Sequence, residues 1–153
     1  MKKIKYLLLV VFAAILVTGC NNNKTLKCTV EKELGTIKYT AVYEIEYTSD
    51  EIVKSVVTTE KLTSDDSNYL AESKTAAEDL YESYDKAYGG YKYNVSINGD
   101  TLTSKCTVDY TKMNVKKYVE DNPSLTNFAD ENNNVKLSGV KSIYSQLGAK
   151  CEE

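Results

Sequence analysis

Ile37-Lys38-Tyr39-Thr40-Ala41-Val42-Tyr43-Glu44-Ile45-Glu46-Tyr47 decides the fold class, because its side chains sort by parity. Ile37, Tyr39, Ala41, Tyr43, Ile45 and Tyr47 fall on one face. Lys38, Thr40, Glu44 and Glu46 fall on the other, with Val42 the single exception. A period of two marks a strand with one buried face, and a strand over about 36–48 is the clearest element in the chain. Upstream, Leu26, Cys28 and Val30 alternate with polar neighbours and predict a strand over about 25–33, with Gly35 marking the turn between the two. Downstream, Ser49-Asp50 turns the chain into a third strand at about 51–62, where Val53, Val56, Val57 and several threonines favour extended structure.

The period lengthens near Asp65. Leu70, Ser73, Ala76, Ala77, Leu80, Tyr84, Ala87 and Tyr88 recur at three- and four-residue steps, the spacing of one helical face. Asp65, Asp66 and Ser67 offer capping oxygens and negative charge at the positive end of the dipole, and Gly89-Gly90 ends the run, so a helix is predicted over 67–88. Alternation then returns in Tyr91, Tyr93, Val95 and Ile97, breaks at the hairpin signal Asn98-Gly99, and resumes in Leu102, Ser104, Cys106, Val108 and Tyr110. A helical turn is expected at 114–121, loops at Pro123 and Asn132–Asn134, and a short last helix from a capping Ser138 to Leu147. The order reads β-β-β-α-β-β-α. It predicts an α+β domain in which a five-stranded antiparallel sheet is covered on one face by the long helix.

The N-terminus reads as an export signal. Lys2, Lys3 and Lys5 precede an apolar run from Tyr6 to Val17, shorter than the roughly 20 residues that span a bilayer. The run ends in Val17-Thr18-Gly19-Cys20, a branched apolar residue and two small ones before a cysteine, which is the pattern of a lipobox. On this reading residues 1–19 are removed, Cys20 carries the lipid, 20–24 form a polar tether, and 25–153 are one domain. Two acyl chains on one cysteine hold a protein firmly at a membrane. Loss of three lysines takes the net charge from −3 to about −6, which disfavours nucleic acid and anionic lipid as partners.

Three cysteines remain in the domain, and export makes a disulfide permissible. Closed loops of about 124 residues for Cys28 with Cys151, 79 for Cys28 with Cys106 and 46 for Cys106 with Cys151 are worth roughly 4.9, 4.5 and 4.0 kcal/mol by loop closure, too close to choose between pairings. Cys28 and Cys106 each sit in a Lys-Cys-Thr-Val run, on a strand face shared with apolar residues. Three scattered cysteines without histidine or a Cys-x-x-Cys spacing do not suggest a metal site.

The absence of histidine removes Ser-His-Asp and Cys-His couples. Asp65-Asp66, Glu78-Asp79 and Asp130-Glu131 read as a cap, a solvated helix face and a loop rather than as acid–base pairs. Asp130, Asn132 and Asn134 imitate the start of a calcium loop, but Val135 stands where glycine is required and Lys141 where a bidentate glutamate is. The expectation is therefore no enzyme and no cofactor. Tyrosine is abundant, at 13 residues, and Tyr39, Tyr43, Tyr47, Tyr91 and Tyr93 lie on strand faces. They read first as core with hydroxyls at the sheet's rim, and secondly as a surface for a sugar or an envelope partner.

The lipobox, the Lys-Cys-Thr start of a β-rich first half, the acidic central helix, the Tyr-rich hairpin and the closing Gly148-Ala149-Lys150-Cys151 together resemble the YehR-like small bacterial lipoproteins, a family of unknown function. The resemblance implies an α+β fold and a Cys28–Cys151 disulfide, with Cys28–Cys106 as the alternative, since Cys106 departs from a two-cysteine pattern. It brings no catalytic residues. The functional expectation is a membrane-anchored extracytoplasmic lipoprotein whose domain binds an envelope protein, a cell-wall sugar or a small ligand. The alternative is a structural or stress-related envelope protein with no specific ligand.

Overall fold

A computed structural model describes residues 23–125 and 127–152; the leader and Cys20 lie outside them. Six strands and three helices occur among the described residues: β1 (Lys24–Leu34), β2 (Ile37–Tyr47), β3 (Val53–Thr63), α1 (Ser67–Tyr88), β4 (Tyr91–Asn98), β5 (Thr101–Asp109), α2 (Val115–Asp121), α3 (Leu137–Gln146) and β6 (Lys150–Glu152). The strands form one sheet in the order β4-β5-β3-β2-β1-β6, and all neighbours are antiparallel.

Register fixes the two faces. Cross-strand partners share a face, so Leu26, Cys28 and Val30 join Ile45, Tyr43 and Ala41, and these join Val56 and Thr58 on β3 and Val108 and Cys106 on β5. All three helices pack on this face. The opposite face is a polar lawn of Lys27, Lys38, Thr40, Glu44, Thr59, Lys61, Thr103 and Lys105, with Val42 and Val57 set among them. A two-layer α+β fold follows, because only one side of the sheet has apolar area worth covering.

The expected layout needs three corrections. The sheet has a sixth strand, β6, in which Cys151 stands opposite Cys28. The long helix does not cover the sheet alone: α1 lies over β4 and β5, where Leu70 packs with Val95 and Leu102. The rest of that face is covered by Val115 of α2 and by Leu137 and Val140 of α3, with Met113, Phe128 and Val135 from the loops. Ser138 does not cap α3. The cap is Lys136, with no side-chain bond, because tertiary carbonyls take the first amides: Lys136 donates to Phe128 at 2.8 Å and Leu137 to Glu51 at 2.9 Å.

Helix α1 has the expected bounds, and Asp66 caps it by accepting from Asn68 and Tyr69, both at 3.0 Å. Its buried stripe is rotated from the expected one. Leu70, Ala77, Tyr81 and Tyr88 turn inward, while Leu80 stays 47% and Tyr84 36% exposed. The cause lies across the layer, where β3 offers a carboxylate that a phenol can reach and a leucine cannot use.

Candidate functional site

That carboxylate is Glu60, on the helix-covered face of β3. One oxygen accepts from the Tyr39 hydroxyl at 2.6 Å and the other from the Tyr81 hydroxyl at 3.0 Å; Ser104 on β5 donates to Tyr81 at 3.1 Å. The cluster ties β2, β3, β5 and α1 together and leaves neither carboxylate oxygen vacant, so it reads as a staple between layers. Burial first, and then the bond to Glu60, pushes the Tyr39 hydroxyl above its usual range; burial does the same to Tyr81. Neither phenol serves as a base near neutral pH.

Beside this staple the helices part. The start of α1 and the end of α3 stand on either side of a groove of about 340 Å³, mostly apolar. Its floor is Val30, Ile37, Tyr39, Tyr43 and Leu62 from the first three strands. Tyr69 and Leu147 form the flanks, and Lys32 and Leu34 the outer wall. Leu34 is 71%, Leu147 46% and Tyr69 39% exposed. Single exposed apolar residues are ordinary, but a contiguous set around a concavity marks a binding surface. Two other hollows have more polar linings: one of about 530 Å³ between Lys24, Tyr47, Ser49 and Leu137, another of about 260 Å³ between Ser124, Phe128, Gly139 and Ile143.

The five tyrosines singled out in the sequence share one sheet face and divide among three places. Tyr39 and Tyr43 floor the groove, with Tyr43 buried and its ring stacked on Tyr144 at 4.0 Å between centroids. Tyr47 lies at the far end of β2, beside Lys24. Tyr91 and Tyr93 lie beside α1, against Tyr84 at 5.7 Å and Tyr81 at 5.5 Å. Sequence reasoning missed Glu60, Leu62, Tyr69 and Leu147. A period-two trace through Val56, Thr58, Glu60 and Leu62 is present in β3, but Val57 on the opposite parity obscures it.

A disulfide joins Cys28 to Cys151. The alternative pairing with Cys106 fails on distance. Both residues face the helices, but β2 and β3 lie between β1 and β5, and three inter-strand steps are roughly 14 Å, beyond the reach of a disulfide. Cys106 carries a free, buried thiol, which burial pushes up to about 12. Among the described residues no three His, Cys, Asp or Glu side chains gather as metal ligands. Asp130 accepts from the amides of Asn132 and Asn134 and from the Asn134 side chain, at 2.8 to 3.0 Å, so its oxygens close a turn. No described helix is long and apolar enough to cross a membrane.

No family model matches the chain, and no curated protein does. Two solved structures are similar. One is a protein from Streptococcus pneumoniae TIGR4, determined by NMR, at 20% identity and a TM-score of 0.51, covering 99% of this chain and 98% of that one. The other is the NMR structure of Escherichia coli YehR, at 12% identity and a TM-score of 0.56, covering 87% of this chain and 93% of that one. At such identities what is shared is the fold, and in its fold this chain is YehR-like, as its sequence layout implied.

Proposed function

We propose that the chain is a lipid-anchored extracytoplasmic binding domain, held at the membrane through Cys20, with the Tyr39–Tyr43 groove as its binding surface. The observation that carries the reading is the groove's position. Its wall residues Lys32 and Leu34 lie at one end of β1, and the chain enters the domain at the other, Lys24, end. An 11-residue strand is about 35 Å long, so an anchor just before Lys24 would leave the groove directed away from the membrane. The groove's apolar floor with few polar groups suits a hydrophobic or amphiphilic partner, and the acidic balance of the chain makes nucleic acid an unsuitable one.

The anchor and the groove are tested separately. In cells fed an alkyne-bearing fatty acid, the wild-type protein should take up label and shorten, whereas Cys20→Ala should stay long and unlabelled; normal maturation of that variant would end the lipoprotein reading. In thermal-shift screening against envelope peptides, sugars and amphiphiles, a genuine ligand should raise the melting temperature of the wild type and not of Leu147→Lys. Screening hits that ignore this substitution would place binding elsewhere.

A further inference from the structure

The groove's outer wall is an open sheet edge. β6 pairs with β1 only from Lys27 to Thr29, and among the described residues no strand lies beside Glu31–Leu34 on that side. In an antiparallel ladder alternate residues turn both N–H and C=O the same way. Two of these four residues therefore present a donor and an acceptor outward, next to an apolar concavity. That combination is the one used in strand addition, where main-chain bonds hold an extended peptide and pockets receive alternate side chains.

Charge decides which strand fits. A second copy pairing antiparallel about Lys32 would set Lys32 against Lys32 and Glu31 against Glu33, and like charges directly opposite are destabilising. The chain's described ends, at Asn23 and at Glu152 opposite Lys27, both lie toward the other end of β1. The complementary strand has basic residues opposite Glu31 and Glu33, an acidic residue opposite Lys32, and an apolar residue opposite Leu34 that drops toward the groove. We infer that the groove takes an extended segment of a partner protein with the pattern apolar–basic–acidic–basic, added antiparallel to the sheet as a strand beside β1. This rests on the binding-domain reading above and goes further by naming the partner's chemistry and its mode of attachment.

The test uses the full chain in phospholipid nanodiscs and a fluorescent peptide Ser-Ser-Leu-Lys-Glu-Lys-amide, with Ser-Ser-Leu-Glu-Lys-Glu-amide as its charge-reversed control. Anisotropy should show saturable binding at least about tenfold tighter for the first peptide. Hydrogen exchange should slow by at least about tenfold at amides within Glu31–Leu34. Glu31→Lys with Glu33→Lys, both exposed positions that leave the core untouched, should invert the preference. Equal binding of the two peptides, binding without protection of Glu31–Leu34, protection at the other open edge, β4, or no binding would each overturn the inference. An apolar dye, 1-anilinonaphthalene-8-sulfonate, separates the two claims. Dye that binds the wild type and is lost in Leu147→Lys, without peptide binding, removes strand addition and leaves the groove reading standing; failure of dye and peptide together removes both.

Discussion

Raising the pH should destabilise this domain from about pH 9 upward, and the structure sets the cause of the effect. Cys106 is 3% exposed and its thiol is pushed from 9.0 to about 12, by burial first and then by Glu60. Tyr43, 5% exposed, and Tyr110 are raised above 10.0, also by burial first. A group whose value is raised by folding stabilises fully below its unfolded value and loses that contribution as pH climbs toward its folded one. At pH 11 an unfolded thiol has been free to ionise for two units, which favours unfolding by roughly 2.7 kcal/mol for Cys106; the raised phenols of Tyr43 and Tyr110 act in the same direction. The thiol alone thus takes away a large share of the stability of a small domain, about 5–15 kcal/mol, and the buried phenols deepen the loss. The assay follows tyrosinate absorbance and far-ultraviolet circular dichroism together. Both should change in one cooperative step above pH 10, and Cys106→Ala should remove the part of the slope that begins near pH 9. Tyrosinate appearing smoothly about pH 10 with the dichroism unchanged would refute the burial argument.

At the acid end the signs reverse. Asp109, Asp121 and Asp130 are held below 3.8, chiefly by hydrogen bonds from Lys112, Lys117 and Asn134, so their contribution is present above that value and fades as pH falls through the lowered ones; urea midpoints should drop modestly between pH 5 and pH 2, and a midpoint that rose would contradict it. Gly139→Ala should cost about 1–3 kcal/mol of overpacking, since its Cβ would meet the Asn127 carbonyl and the Phe128 Cα at 2.7 Å; a neutral result by chemical denaturation would mean that the loop before α3 yields easily. Peptide mapping after alkylation of the unreduced, unfolded chain should mark Cys106 and spare Cys28 and Cys151. Reduction should then lower stability by up to roughly 4.9 kcal/mol from loop closure, and no change in the denaturation midpoint on reduction would count against the bridge.

What the sequence could disclose depended on whether the deciding contact was local. β2 was legible because its alternation is nearly unbroken over 11 residues, and the ends of α1 because Asp66 and Gly89 punctuate it within the chain itself. The buried face of α1 was not, since the choice of Tyr81 over Leu80 is made by Glu60, which lies 21 residues away from Tyr81 on another layer. β6 is three residues with no period to read, and its place follows from the pairing of Cys151 with Cys28. Neither loop entropy nor the matching Lys-Cys-Thr-Val runs could settle that pairing without the strand order.

The groove was hidden for a related reason. Leu34 ends a strand, Leu62 nearly ends another, Tyr69 begins a helix and Leu147 follows one, so none of them belongs to a run long enough to show a period. A leucine 71% exposed beside a glycine turn is unremarkable alone. It becomes informative when two further apolar side chains, from elements more than 30 and more than 100 residues later, converge on the same open strand edge. Stability of the isolated domain gains little from that convergence, because apolar surface left in water contributes no burial free energy. Their joint exposure is therefore the strongest physical reason to look for a partner at this edge rather than at the tyrosines beside α1, whose rings already pack against one another.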